Sequence, residues 1–333
     1  MLRWKIEPIK LPLKFNWKIA RNEAEQKTNF LITVEDHEFI GRGEVAYNIR
    51  YGESDTSTLE AFERFVSSSP DAIHSISALM DAFSELDLPN SLRFGIESAF
   101  IEYLGAITEE PIHKILGVNR VQTVATSFSV PIMPIGELQA FISDHKLCRF
   151  HSLKVKLGSE DSIERITELR KYFEGSLRLD ANEAYSDPDQ VLKLIEFLNS
   201  KGPIDFIEQP LKANLYSESQ YLKENSSIAI FADESLTDGD ITEHFCDAFD
   251  GVNIKLMKAG SYFKALKQIR NAKEQGLKTL LGCMVETSLG ISSALHCAYG
   301  VDFFDLDGFL LIKEDPFALT SEENGKVFYS HLQ

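Results

Sequence analysis

The sequence predicts an α/β barrel preceded by a smaller α+β region. Three observations carry this reading. From about residue 120, short apolar strands alternate with amphipathic helices, eight strands in all. Ionisable residues stand at the ends of successive strands: Lys156, Asp180, Glu208, Asp233 and Lys255 follow one another at steps of 24, 28, 25 and 22 residues. A (β/α)8 barrel spends roughly 30 residues on each strand–helix unit, so the series reads as one chemical group per strand. The first third shows no such repeat, which sets it apart from the barrel.

The elements follow in order. Residues 1 to about 50 read as β-structure. Phe30-Leu31-Ile32-Thr33-Val34 and Phe39-Ile40-Gly41-Arg42-Gly43-Glu44-Val45 flank the turn-like Glu35-Asp36-His37-Glu38, a hairpin pattern. From about 58 to 107 the period becomes helical, with Ile96, Ala99, Phe100, Tyr103 and Leu104 on one stripe. Barrel strands are expected at 121–131, 151–157, 176–180, 204–208, 228–232, 250–255, 278–282 and 303–309, with helices at 162–173, 187–198 and 261–275 among the connections. The domains expected are 1–118, 119–312 for the barrel, and a tail, 313–333, long enough to return to the first domain.

Strand ends of such a barrel meet around one cavity. Asp180, Glu208 and Asp233 follow the apolar runs Leu177-Arg178-Leu179, Phe206-Ile207 and Ile230-Phe231-Ala232. Three converging carboxylates without His or Cys suit a hard divalent cation, Mg2+ rather than Zn2+. Any one of these acids alone would sooner cap a helix or face solvent. Three converging without a cation would repel one another. Asn182, two residues past Asp180, is expected to bind substrate or support the site. Glu234 is expected to point away from the cavity.

Lys154 and Lys156 are two apart, so on a strand they share a face. Pointing outward they would be charges among packed helices; pointing inward they face the metal site. Lys156, nearer the strand end, is taken as the proton-transfer group, and Lys154 as a polarising neighbour. Lys255 arrives from across the barrel. Lys258 lies further along and reads as a solvated lysine.

The chain has 333 residues, 44% of them hydrophobic, enough for a sizeable core. Its net charge of −17 argues against nucleic acid or an anionic membrane as partner. Cys148, Cys246, Cys283 and Cys297 form no Cys-x-x-Cys pair, and the N-terminus lacks the apolar run of a signal peptide. A reducing, cytoplasmic setting is expected.

Taken together, Gly43-Glu44, Lys154-Val155-Lys156, Asp180-Ala181-Asn182, Ile207-Glu208-Gln209-Pro210, Ala232-Asp233-Glu234-Ser235 and Asn253-Ile254-Lys255-Leu256-Met257-Lys258-Ala259-Gly260 resemble the enolase superfamily, in its muconate-lactonising-enzyme-like branch. The resemblance covers nearly the whole chain. It implies a (β/α)7β modified TIM barrel under an α+β capping domain, one Mg2+ per subunit, and removal of the proton α to a carboxylate. A lysine on each face of the α-carbon, Lys156 and Lys255, suits racemisation or epimerisation.

Phe304-Asp305-Leu306-Asp307-Gly308 further resembles the dipeptide epimerases. The resemblance implies that Asp305 and Asp307 bind the ammonium of a dipeptide. Two inward carboxylates at i and i+2 make a good receptor for one –NH3+. Gly282-Cys283-Met284-Val285-Glu286-Thr287 also matches. Cys283 and Met284 are expected to line the pocket, and Glu286 to orient a catalytic lysine. Cys283 has no indicated base and is not read as a nucleophile. The resemblance places side-chain recognition in the capping loops, at 17–22 and near 51–53. There Arg21 is the candidate partner of a glutamate side chain, while Phe15, Trp17 and Ile19 equally admit an apolar one.

The function implied is epimerisation at the C-terminal residue of a dipeptide, L-Ala-D/L-Glu or related, by a homo-oligomer. The alternatives on the same scaffold are o-succinylbenzoate synthesis, muconate cycloisomerisation and N-acylamino-acid racemisation, whose substrates carry no ammonium. A barrel that binds peptide without turnover is a third reading.

Overall fold

The computed structural model describes residues 2–20, 22–68, 73–158 and 160–330. The chain opens with three antiparallel strands, β1 (Arg3–Ile19), β2 (Asn22–Glu35) and β3 (Ile40–Val45). The sequence-predicted hairpin is the β2–β3 pair. Phe30, Ile32 and Val34 alternate into the core, as a strand with one buried face requires. Three helices follow: α1 (Asp55–Ser67), α2 (Ile76–Ser84) and α3 (Asn90–Thr108). Ser54 and Ser75 cap the first two, each side chain accepting a backbone N–H of the first turn. α3 lies directly on β3, where a Cβ at Gly43 would overlap the Gly95 carbonyl and the Ser98 side chain. Its stripe of Ile96, Ala99, Phe100 and Tyr103 is buried against Phe30, Ile32, Phe62 and Phe65.

After α4 (Ile112–Ile115) and β4 (Thr123–Ala125) the barrel begins. Its strands are β5 (Phe128–Val130), β6 (Ser152–Lys156), β7 (Ser176–Asp180), β8 (Ile204–Glu208), β9 (Ile230–Ala232), β10 (Gly251–Lys255), β11 (Lys278–Gly282) and β12 (Phe303–Asp305). Each is parallel to the next, in sequence order. The seven crossovers carry α5 (Leu138–Asp144), α6 (Ser162–Leu169), α7 (Pro188–Leu198), α8 (Tyr216–Asn225), α9 (Glu243–Ala248), the pair α10 (Leu256–Ala259) and α11 (Tyr262–Glu274), and α12 (Ser288–His296). The eighth strand ends the series, so the barrel is (β/α)7β. Ser127 N–H donates to the Phe304 carbonyl at 3.2 Å, drawing the first and last strands together.

One expectation changes. The strand expected at 121–131 is two strands, broken at Thr126-Ser127. Their hydroxyls serve the last strand instead: Thr126 accepts the Leu306 N–H and Ser127 bonds to Asp305. Around Ile312, bridged to Leu13, the chain meets the capping sheet, with Lys313 N–H on the Pro12 carbonyl. Beyond that, β13 (Thr320–Glu323) and β14 (Lys326–Tyr329) form a hairpin on β4 and pack beside α12. The tail thus pairs with β4, just ahead of the first barrel strand, while its Lys313 bonds to the capping strand β1.

Two buried glutamates dock the capping domain onto the barrel. Glu97 of α3 accepts the Tyr262 N–H at 2.6 Å and the Ser261 hydroxyl at 2.7 Å, at the N-terminus of α11. Glu44 of β3 accepts N–H groups of Thr287 and Gly290, both at 3.0 Å, at the N-terminus of α12. Helix N-termini carry unpaired N–H donors and a partial positive charge, so carboxylates from another domain fit there. Among the described residues no helix is long and apolar enough to cross a membrane.

Burial pushes the Glu97 carboxyl up to about 7. In the unfolded chain it titrates near 4.5, so between those values the native state holds a proton that the unfolded state releases. Its contribution is complete below pH 4.5 and is lost as pH rises from there through 7, by roughly 3 kcal/mol. Urea midpoints at pH 5 and pH 7.5 are therefore expected to lie closer together in Glu97→Gln than in the unmodified protein. An unchanged gap would show that Glu97 does not set it.

Candidate active site

Strand register assembles the site. Lys156, Asp180 and Glu208 are direct neighbours across β6, β7 and β8. Lys255, Gly282 and Asp305 are direct neighbours across β10, β11 and β12. Asp233 follows β9 between the two groups. β6 and β10 are four strands apart in a ring of eight, so Lys156 and Lys255 enter from opposite sides.

Asp180, Glu208 and Asp233 are buried, and one oxygen of each lies within 4.8 Å of the others. The set is all carboxylate, the donor chemistry of a hard divalent cation. Four lysines surround it. Lys154 pairs with Glu208 at 2.6 Å and with Asp180 and Asp305 at 3.1 Å. Lys156 pairs with Asp180 at 2.6 Å, and Lys255 with Asp233 at 2.8 Å. Asn253 donates to the second oxygen of Glu208 at 2.8 Å. A Cβ at Gly282 would overlap that Asn253 amide, so glycine leaves it its place.

Burial and charge act against each other here. Burial raises the Glu208 carboxyl, and the neighbouring Asp180 raises it further, to about 8. For Asp180 and Asp233, burial is outweighed by paired lysines, Lys154 and Lys156 for the first and Lys255 and Lys258 for the second, and both sit below the usual carboxylate range. Burial opposes the charge of Lys154, but Asp180, Glu208 and Asp305 outweigh it and hold the ammonium well above the usual lysine range. Asp233 does the same for Lys255.

The loops after the strands are fixed by polar side chains. Gln209, in the left-handed region at φ 37°, accepts the N–H groups of Asp233 and Ser235 at 2.9 and 3.0 Å. Asn182, at φ 44°, donates its backbone N–H to Asp180 and its amide to Glu234 at 3.3 Å. Non-glycine residues held in this region concentrate at functional sites.

A cavity of about 370 Å3 opens over these groups. Lys154, Lys156, Asn182, Asp233, Lys255, Cys283, Met284, Asp305 and Asp307 all line it, so the structure brings these candidate residues together. Arg21 lies outside the described residues. The Asp-x-Asp pair reaches the cavity without a continuous strand, because β12 stops at Asp305 and Asp307 begins the next turn. Asp305 is held by Arg178 at 2.7 Å and by Lys154. Asp307 accepts the Ser129 N–H at 2.6 Å; burial and then Asp305 push it up to about 6.

Three expectations are corrected. Lys258 is not solvated. It is 2% exposed, bound to Asp233 at 2.6 Å and to the Asn253 carbonyl at 2.9 Å, because the turn α10 folds it back beneath the strand ends. Glu234 does not point away; it is buried and lines the cavity beside Asn182. Glu286 accepts the Met284 N–H at 2.7 Å, and Lys255 is hydrogen-bonded to Asp233 instead. Burial and then Glu44 push Glu286 up to about 8, and it feels Lys255 only through charge. Sequence reasoning also passed over Arg178, Asn253, Ser127 and Ser129. Arg178 was within reach, since it stands two residues before Asp180 and must share its face.

A family profile described as Enolase C-terminal domain-like matches residues 137–311. This chain belongs to the enolase superfamily. An L-Ala-D/L-Glu epimerase of Bacteroides thetaiotaomicron is 31% identical over 98% of this chain and 85% of its own. A hydrophobic dipeptide epimerase of a Flavobacteria bacterium is 30% identical over 95% of this chain and 92% of its own. The crystal structure of an Enterococcus faecalis dipeptide epimerase, complexed with Mg and L-Leu-L-Tyr, superposes with a TM-score of 0.86 at 25% identity, covering 98% of this chain and 96% of that one.

Lys258→Met is expected to destabilise the protein by roughly 1.5–3 kcal/mol, the usual loss when a buried charged hydrogen bond is removed. Urea unfolding measures it. A surface lysine would leave stability unchanged, so no shift in the midpoint would contradict this placement.

Proposed function

We propose that the protein is a Mg2+-dependent dipeptide epimerase that inverts the α-carbon of the C-terminal residue. The observation that carries this reading is the pair Lys156 and Lys255, entering one cavity from opposite sides of a carboxylate triad. Asp180, Glu208 and Asp233 are the residues to hold Mg2+. Bound there, the cation would draw charge from the substrate carboxylate and so acidify its α-proton.

The protein's own groups do the rest. One lysine, neutral, takes the α-proton from one face; the other, as ammonium, returns a proton to the opposite face. Reversing the two protonation states runs the reaction the other way. Lys154 places a fixed positive charge beside the triad, where negative charge develops on the substrate carboxylate. Asp307, with Asp305 beside it, offers negative charge to the substrate ammonium. The succinylbenzoate, muconate and N-acylamino-acid readings leave that end of the cavity without a purpose. The relatives' activities support the dipeptide reading, and four free cysteines fit a reducing, cytoplasmic compartment. A homo-oligomer is part of the same proposal.

The test is α-proton exchange in D2O with Mg2+ on a panel of L,L-dipeptides, read by mass spectrometry. Deuterium is expected at the C-terminal α-carbon, and EDTA is expected to abolish its uptake. Lys156→Ala and Lys255→Ala should each lower epimerisation by roughly 10²–10⁴-fold, because a proton taken from one face must be replaced from the other. Exchange confined to N-acylamino acids would refute the dipeptide assignment.

A further inference from the structure

The carboxylate triad is divided oxygen by oxygen. Asp180 Oδ2 meets Lys156 and Lys154, Glu208 Oε2 meets Lys154, and Asp233 Oδ2 meets Lys255. These three lysines line the cavity. The second oxygen of each carboxylate is held by a donor that takes no part in the proton transfer. Asp180 Oδ1 accepts the Asn182 backbone N–H at 3.0 Å, Glu208 Oε1 the Asn253 amide at 2.8 Å, and Asp233 Oδ1 the Lys258 ammonium at 2.6 Å.

The two side-chain donors are fixed in place. Lys258 has three N–H groups and three acceptors: Asp233 Oδ1, the Asp233 carbonyl and the Asn253 carbonyl. The Asn253 amide is closed in by Gly282, where any Cβ would overlap it. Both side chains are buried. One short stretch of chain, from Asn253 on β10 to Lys258 in α10, thus holds the outer oxygens of two ligands. It is tied to itself through the Asn253 carbonyl. A cation entering from the cavity therefore meets one oxygen of Glu208 and one of Asp233.

Mg2+ demands near-octahedral oxygens at roughly 2.1 Å, and single oxygens from three carboxylates meet that demand while leaving positions for substrate and water. Ca2+ is larger, takes roughly six to eight oxygens at longer distances, and gains from carboxylates that offer both. With the outer oxygens held, that gain is denied to it. We infer that Asn253 and Lys258 set the cation selectivity of the site. By keeping Glu208 and Asp233 as one-oxygen ligands, they favour Mg2+ over Ca2+. Both act through the ligands and are positioning residues. The inference rests on the Mg2+ site of the proposed reaction and is independent of which dipeptide is taken.

The experiment is calorimetric titration of the full-length, metal-stripped protein with MgCl2 and with CaCl2, without substrate. The unmodified protein is expected to bind Mg2+ more tightly. Asn253→Leu and Lys258→Met should each move the ratio of the two Kd values toward Ca2+ by about tenfold, because a freed outer oxygen serves only the larger ion. If Lys258→Met does not fold, Asn253→Leu carries the test, since it removes a neutral donor and no charge. A merely structural role would weaken both cations together. An unchanged ratio, or loss of both cations together, therefore overturns the inference, as does a preference for Ca2+ in the unmodified protein. If the unmodified protein binds neither cation, the metal reading falls and this inference with it. A Mg2+ preference that the variants lower, in a protein that exchanges no α-proton, refutes the epimerase reading and sustains this one.

Discussion

The ammonium of Lys154 is the charge on which the rest of the site depends. It touches carboxylates from three strands, Asp180, Glu208 and Asp305, in the buried interior of the barrel mouth. Burying that many acids together is strongly unfavourable unless cations accompany them. Lys156, Lys255, Lys258 and Arg178 extend the same compensation outward, each to a carboxylate already in the cluster. Such a network is sensitive to the loss of any member, because the partner left behind stays buried. It also holds every ionisable group at a fixed position before substrate arrives, the condition for electrostatic catalysis.

That arrangement needs a cover, and the capping domain supplies it through chemistry of the same kind. Glu44 and Glu97 cross from the capping domain to the N-termini of α12 and α11. The contact at α12 adjoins the loop carrying Met284 and Glu286, and Asn29 of β2 ties that loop down through the Val285 carbonyl at 2.9 Å. The hairpin holding Trp17 and Lys27 is thereby placed over a barrel mouth whose own loops are pinned by Gln209 and Asn182. One wall of the cavity thus belongs to a part of the chain that lies more than a hundred residues from every residue of the triad. The barrel side carries the carboxylate triad and its lysines, and the capping side carries Trp17, Ile19 and Lys27.

Much of this was legible without coordinates. The period of apolar strands and the acid or lysine at each strand end mark a parallel barrel whatever its packing, because strand ends converge and side chains alternate. The inward direction of Lys154 and Lys156 follows from their spacing of two, and the convergence of Asp180, Glu208 and Asp233 from their positions on consecutive strands. What was misread depended on loop geometry. Lys258 looked solvated because nothing local shows that α10 turns it back toward Asp233. Glu234 looked outward because strand alternation was carried past the end of β9. The strand expected at 121–131 gave no sign that Thr126-Ser127 would leave the ladder to bond the last strand.

By itself, then, the sequence determined the fold class and the inventory of reactive groups, since both rest on periodicity and on spacing along a single strand. The tertiary structure alone decided which carboxylate each lysine holds, where the C-terminal hairpin docks, and which capping residues face the cavity. Those outcomes arise from contacts between segments far apart in the chain. Their distances are set by packing, loop conformation and the mutual compensation of buried charges, none of which is written in any local stretch of residues.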